Sequence, residues 1–357
     1  MKIHFNPKFY RREKRPFLAD ILRPYINTRS LEENVEIYGS QVTQYEIVSS
    51  PQDADLHVLT MTWDYYFQSG QLREAEVFIE QAMSMNKPVA VWQNSDFGIR
   101  FPQYKNIFLF QTSGYRSTRS PRQFSKPVFI GDPLQELNMS GIALRKKSPQ
   151  PVVGFCGQAD HTFEHALSSW IRFGFFNMKS ALGLNPYEFL PLRPLSTGLR
   201  WGALHRLEKK PSIQTNFVKR KKYKAGARTR EEVNTSRREY WDNMLESDYI
   251  VCVRGTGNFS ARFYETLAMG RIPIFVDTDC MLPWEKDIDW QGLCVWVDAN
   301  ELGQLPQKVL DFHAHLSADD FVEHQKRCRE TWEERLSFSG FFKHFSEYFS
   351  TGSSWEC

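Results

Sequence analysis

The sequence predicts a parallel α/β protein of two domains. Three observations carry this. Short apolar runs rich in β-branched residues alternate with amphipathic stretches of helical spacing. The chain has 357 residues, enough for two domains of ordinary size. A basic and then proline-rich stretch, residues 141–151, separates two such alternating series.

The first series begins at residues 2–5, a strand-like run. Residues 17–25 suit a helix, and Tyr45–Val48 a short strand. Asp53 and Asp55 lead into Leu56–Met61, an apolar run that suits a buried strand, which ends in Thr62-Trp63-Asp64. Residues 71–86 place Leu72, Ala75, Phe78, Ile79 and Ala82 among polar positions, the pattern of an amphipathic helix. Pro88–Trp92 is the next strand and runs into Gln93-Asn94-Ser95-Asp96. Ile107–Phe110 and Pro127–Ile130 complete this half as strands.

The second series opens on Val152–Cys156, a strand that enters a turn at Gly157. Residues 162–182 and 231–246 read as helices, the first with Arg172 among aromatics. Tyr249–Val253 is then a short β-branched strand, and Arg254–Ser260 a polar loop with two glycines. Residues 261–269 are good helix formers, with Phe263 and Leu267 four apart on one face. Gly270 stands where a helix-ending glycine belongs, and Pro273 opens a further strand to Val276. Leu293–Val297 is another strand, and 301–313 and 319–349 are closing helices. The expected domains are 1–147 and 148–330, with 331–349 packing back on the first.

The loop at 254–260 has chemistry of its own. The first amides of a helix lack partners within it, and with the helix dipole they attract anions. Asn258 and Ser260 can cap there, and Gly257 leaves the backbone open. Arg254 and Arg262 supply forked positive charge suited to phosphate. Glu265, one turn after Arg262, can accept hydrogen bonds from vicinal hydroxyls such as those of a ribose. The plain alternative is a βαβ unit carrying an Arg262–Glu265 surface pair, since short glycine loops are weak signals alone.

The wider context favours the anion site. Arg254-Gly-x-Gly-Asn-Phe-Ser-x-Arg262-Phe-Tyr-Glu265-x-Leu-Ala-x-Gly270-Arg-Ile-Pro273 closely resembles the C-terminal signature of exostosin-like, GT47-type glycosyltransferases. The likeness continues through Asp277-Thr-Asp279-Cys-x-Leu-Pro283 to Trp290 and thins back to about residue 150. The resemblance implies the GT-B fold, two Rossmann-like domains facing across a cleft. It implies inverting transfer of a sugar from a nucleotide donor, a UDP-sugar, to a glycan or glycoconjugate hydroxyl, without a cofactor or bound metal. By the same resemblance Arg254 and Arg262 would hold the diphosphate, Glu265 the ribose, and Gly157 would let the backbone approach the phosphates. Two rivals stand beside it. One is a fucosyltransferase-like enzyme using a GDP-sugar, and the other a non-catalytic nucleotide- or glycan-binding module.

An inverting transferase needs a base for the acceptor hydroxyl. Ligands of open parallel sheets sit beyond the carboxyl ends of the strands, and Asp64 and Asp96 both lie just past such ends. Each is therefore a candidate base, and each equally suits the cap of a following turn. His57 and His161 are weaker candidates. Asp277-x-Asp279 matches a metal-binding pattern in form only, because arginines and helix ends can neutralise the phosphates in this setting.

Composition narrows the partners. The formal charge of +3 is too small for nucleic acid to be the main partner, although 209–230 is locally basic. That segment reads as a solvated loop, or as a contact for phosphate or an anionic surface. Aromatics reach 15%, with 28 Phe, which favours a thick core. The six cysteines are scattered without a C-x-x-C pair, so buried thiols in a reducing compartment are expected, not disulfides or zinc. No signal-peptide pattern and no long apolar run appears, so the expectation is a soluble cytoplasmic enzyme, peripheral to a membrane at most.

Overall fold

A computed structural model of the chain describes residues 1–100, 104–159, 163–191, 196–220, 226 and 228–350. Among these, six strands form a first parallel sheet: β1 (Lys2–His4), β2 (Glu46–Ile47), β3 (Leu56–Val58), β4 (Val89–Gln93), β5 (Ile107–Gln111) and β6 (Gln123–Ser125). Their order is β2-β1-β3-β4-β5-β6. Five more form a second parallel sheet: β7 (Val152–Gln158), β8 (Gln214–Arg220), β9 (Tyr249–Val253), β10 (Ile272–Asp277) and β11 (Val295–Asp298), ordered β11-β10-β9-β7-β8. In each sheet the chain winds outward in both directions from one pair, β1/β3 in the first and β7/β9 in the second. A crevice opens at such a reversal, beyond the carboxyl ends of the two strands.

The helices of the first half are α1 (Leu31–Tyr38), α2 (Trp63–Gln68), α3 (Leu72–Ser84) and α4 (Pro133–Glu136). Those of the second are α5 (Phe163–Ala181), α6 (Ser196–Glu208), α7 (Arg230–Leu245), α8 (Ala261–Ala268), α9 (Trp290–Leu293), α10 (Leu305–His315), α11 (Ala318–Thr331) and α12 (Phe338–Ser350). The period of two along the strands divides the second domain's core. Val251, Val253, Ile274 and Val276 face a cluster shared with α6 and α10. Ile250, Cys252 and Phe275 face the opposite cluster, shared with α7, α8 and α11. Both faces are thus covered, as a parallel sheet requires.

Aromatics explain the closure of the molecule. Phe341, Phe342, Phe345 and Phe349 of α12 lie in the core of the first sheet. Phe345 stands 5.3 Å from the ring of Phe110, and Phe342 stands 5.6 Å from Trp92. A π-helical turn, Trp332–Leu336, leads from α11 in the second domain to α12 on the first.

Two expectations fail on proline. Residues 17–25 form short 3-10 turns instead of a helix, between Pro16 and Pro24. Pro127–Ile130 is not a strand, and the sheet's last strand is Gln123–Ser125. Pro127 lacks a ladder donor. The residues after it also serve different cores: Val128 and Ile130 pack in the second domain, Phe129 in the first. The apolar alternation there bridges two domains.

The carboxyl ends of the two sheets meet. The loop after β5 docks on the second domain: the Asn258 N–H donates to Ser113 Oγ at 2.9 Å, and Tyr115 bridges Cys280. Two parallel α/β domains facing in this way constitute the GT-B arrangement.

Candidate nucleotide-sugar site

The site is built where β7 and β9 part company. Arg254 follows β9 directly and is 4% exposed. Arg262 lies in the first turn of α8 and reaches back over β7, where its Nη2 donates to Cys156 O at 2.8 Å. Its guanidinium stacks on Phe155 at 4.3 Å and faces Tyr240 at 5.6 Å. Gly157 makes that path possible, because a Cβ there would fall 2.6 Å from Arg262 Nη2. Burial opposes the charge of Arg262, but Tyr240, Cys252 and Glu265 beside it hold its pKa above the ordinary value.

A third arginine joins from α6. Arg200 Nη2 donates to Arg254 O at 2.9 Å and its Nη1 to Gln158 O at 3.3 Å. Burial, and then the charges of Arg262 and Arg254, push Arg200 down to about 10. Arg254 is likewise lowered by burial, with Tyr115 opposing. The Nε atoms of Arg200 and Arg262 are buried without a hydrogen-bond partner. The charges of Arg262 and Arg254 thus raise the energy of the Arg200 guanidinium, and an anion beside it would relieve that. Arg271 shows the contrast. It is fully buried, and its guanidinium is spent on the carbonyls of Met244, Ala143 and Leu245. Arg271 is a structural arginine, whereas Arg200 and Arg262 also donate to backbone carbonyls but each keep an unpaired Nε.

The remaining loop residues take mixed places. Glu265 accepts from Tyr240 Oη, half-buried at the edge of the cluster. Ser260 occupies the N-cap of α8 without a side-chain capping bond. Asn258 is 2% exposed, and its amide donates to Gly114 O, Thr278 O and Asp279 O, which ties it to the seam between domains. Gly257 lies against the first domain, where a Cβ would fall 2.0 Å from Asp96 O. Asp277 and Asp279 hold the seam as well. Asp277 Oδ2 pairs with Arg116 at 2.7 Å, and Asp279 Oδ1 accepts from Ser117 N at 3.1 Å. Among the described residues no group of three or more His, Cys, Asp or Glu is placed to hold a metal ion.

On the first-domain side the two aspartates differ. Asp64 is 2% exposed, and its carboxylate accepts from Thr62 Oγ1 at 2.6 Å, Tyr65 N at 3.1 Å and Tyr187 Oη at 3.5 Å. Asp96 is exposed to a cavity of about 710 Å³, also lined by Asp20, Lys126 and Phe259, and the surrounding protein still desolvates its carboxyl enough to raise it. Phe259 belongs to the arginine loop, so this cavity joins the two domains' contributions. Neither this cavity nor a second groove, of about 680 Å³ between α4, α7 and β8, is lined by Arg200, Arg254 or Arg262.

Sequence reasoning missed two groups. Arg200 sits in a helix with no motif around it. Glu188 arrives on the segment after α5, which crosses to the first domain: Glu188 N–H donates to Gly98 O at 2.8 Å, and Tyr187 bridges Ile99. Burial pushes Glu188 up to about 7. Its Oε1 accepts from Gln123 at 3.3 Å, and its Oε2 is buried without a partner. No local pattern in Asn185-Pro-Tyr-Glu188 announces this: Glu188 becomes visible only once the domains meet, and Arg200 only when α6 packs across β7 and β9. His57 is a packed ring, pushed down to about 4 first by burial, with Nε2 on Pro51 O at 3.1 Å. His161 and most of the basic run at 221–227 lie outside the described residues. In the described part of 209–230, Lys219 pairs with Glu208 and Arg220 with Glu239.

The chain is thus a two-domain α/β protein with three arginines gathered at the reversal point of its second sheet. Residues 198–311 match the family model described as Exostosin GT47 domain. Exostosin-1 of Drosophila melanogaster is 28% identical over 111 residues, which is 29% of this chain and 14% of that protein. A rice protein (Oryza sativa subsp. japonica) named as a probable glucuronosyltransferase is 26% identical over 87 residues, 24% of this chain and 19% of its own. The chain thus spans less than a fifth of these relatives' lengths. A solved glycosyltransferase structure from Rickettsia africae ESF-5 aligns over 98% of this chain and 97% of its own, at 10% identity and a TM-score of 0.35, a likeness too weak to bear on the fold.

Proposed function

We propose that the protein is an inverting glycosyltransferase that moves a sugar from a nucleotide donor, a UDP-sugar, to a glycan or glycoconjugate hydroxyl. The single observation that carries this is the arginine cluster, Arg200, Arg254 and Arg262, gathered at the β7/β9 crevice within a matched GT47 segment. The named relatives, an exostosin and a glucuronosyltransferase, support the same class of reaction.

In this reading the diphosphate lies against the three guanidiniums, and Glu265 takes the ribose hydroxyls. The bond between the sugar's anomeric carbon and the phosphate oxygen breaks, and the electron pair leaves with the nucleoside diphosphate. Fixed arginines already aimed at that oxygen stabilise its growing charge without reorganising, so the reaction draws on preorganised electrostatics and needs no metal. The acceptor oxygen attacks from the opposite face, and its proton passes to Asp96, which faces the polar cavity beside Phe259. Asp64, engaged by three donors, is less free for that step. Five buried free thiols, Cys156, Cys252, Cys280, Cys294 and Cys328, support a reducing compartment such as the cytoplasm.

Calorimetry with UDP and GDP on the wild type and Arg254→Ala tests the reading. Loss of one charged donor should weaken diphosphate binding about 10- to 100-fold. Undiminished binding in the variant would dismiss the site. A hydrolysis screen across UDP- and GDP-sugars then separates the two donor classes. Binding without turnover of any donor would favour a non-catalytic module.

A further inference from the structure

The helix α5 has two unlike faces. Its inner side packs: Phe173 is buried, and the Phe176 ring lies 4.5 Å from Phe97 and 5.7 Å from Tyr187. Its outer side is apolar as well. Ile171, Phe175, Met178 and Leu182, spaced by four, three and four, are 55%, 59%, 49% and 66% exposed. That spacing puts them on one stripe of a helix. The turn beyond adds Leu184, at 63%. Isolated exposed apolar residues are ordinary, but a continuous stripe of this length is kept in water only at a cost that a binding surface relieves.

We propose that this stripe seats the protein on an anionic lipid surface, with the helix lying in the headgroup plane. Charge decides the occupant. From His165 to Tyr187 the sequence has no Asp or Glu, and its only charged side chains are Arg172 and Lys179, both exposed on α5. A second copy docked through the same face would bring these cations toward their own copies. Lipid phosphates pair with them while the acyl region covers the phenylalanines. Because α5 leads straight into the Tyr187–Glu188 crossing, and Phe97 beneath it adjoins Asp96, the seating holds the mouth of the cleft at the lipid surface. If the transferase reading is right, the acceptor is then carried on a lipid. The docking itself does not depend on that reading.

Vesicle flotation of the full chain tests the proposal, using pure phosphatidylcholine vesicles and vesicles with about 30% phosphatidylglycerol. The wild type should bind the anionic vesicles at least about tenfold better, and salt at about 0.5 M should weaken this binding. Phe175→Asp with Leu182→Asp should abolish it. Arg172→Gln with Lys179→Gln, two exposed changes that give up only the Arg172 guanidinium over the Phe173 ring at 5.7 Å, should lower it about tenfold. UDP binding should persist in all variants, which separates this test from that of the donor site. Equal binding by variants and wild type, or none by the wild type, would overturn the proposal. So would a wild-type dimer in sedimentation that the Asp variant dissolves, since the stripe would then belong to a second copy.

Discussion

Asp64 and Asp96 hold equivalent positions past the ends of β3 and β4, yet their surroundings differ. Asp64 is buried under Thr62, Tyr65 and Tyr187, and its oxygens are already engaged. Asp96 faces the cavity, and desolvation raises its carboxyl toward the range useful to a base. Replacing Asp96 with Asn should lower kcat about 10²- to 10⁴-fold and leave the donor Kd nearly unchanged. A kcat within a factor of about three of wild type would remove Asp96 from the mechanism. Both aspartates could be named from the sequence, because each ends a recognisable strand. Their difference could not, because the partners of Asp64 include Tyr187, more than a hundred residues away.

At the scale of the element, two glycines near the cluster should respond differently to alanine. A Cβ at Gly157 would fall 2.6 Å from the far end of a flexible side chain, Arg262 Nη2. The arginine can swing aside, but the φ of 158° at Gly157 strains any side chain, so Gly157→Ala should fold with a modestly lower Tm and lose about tenfold in diphosphate affinity. A Cβ at Gly257 would fall 2.0 Å from the backbone oxygen of Asp96, which cannot move alone. Gly257→Ala should therefore destabilise the seam by about 1–3 kcal/mol, read as a lower Tm. An unchanged Tm there, or an unchanged UDP affinity in Gly157→Ala, would show that these contacts are softer than the geometry implies. The strand–loop–helix–strand order from β9 to β10 was legible in the sequence, down to Gly270, whose φ of 62° marks the helix end. The failed strand at 127–130 shows the limit of such reading. Alternating apolar residues signify two buried sides, and here the two sides are different domains.

For the whole molecule the seam matters most, and Glu188 is its titrating group. Its carboxyl shifts from the ordinary 4.5 to about 7, chiefly by burial. A carboxyl raised by folding favours the folded state while protonated. Its contribution is therefore full below about pH 4.5 and is lost as the pH climbs through about 7. The loss amounts to at most about 3 kcal/mol. Glu188→Gln, which stays neutral, should raise Tm relative to wild type at pH 8 and match it near pH 5. Thermal melts across that range settle the matter, and parallel curves for the two proteins would show that Glu188 stays solvated. Around it the seam is held by Arg116–Asp277, Ser117–Asp279 and the Asn258 amide, so the D-x-D pattern serves domain closure.

The sequence alone determined the parallel α/β class, most strand positions and the arginine-bearing loop of the GT47 type, because periodicity and turn chemistry are local. Tertiary structure decided which cations share a site, since Arg200 meets Arg254 and Arg262 only when α6 lies across the ends of β7 and β9. It also decided that Asn258 and Asp277 face another domain, and that one oxygen of Glu188 is buried without a partner. Charge proximity and desolvation depend on distances between chain segments far apart in order, and no local pattern records them.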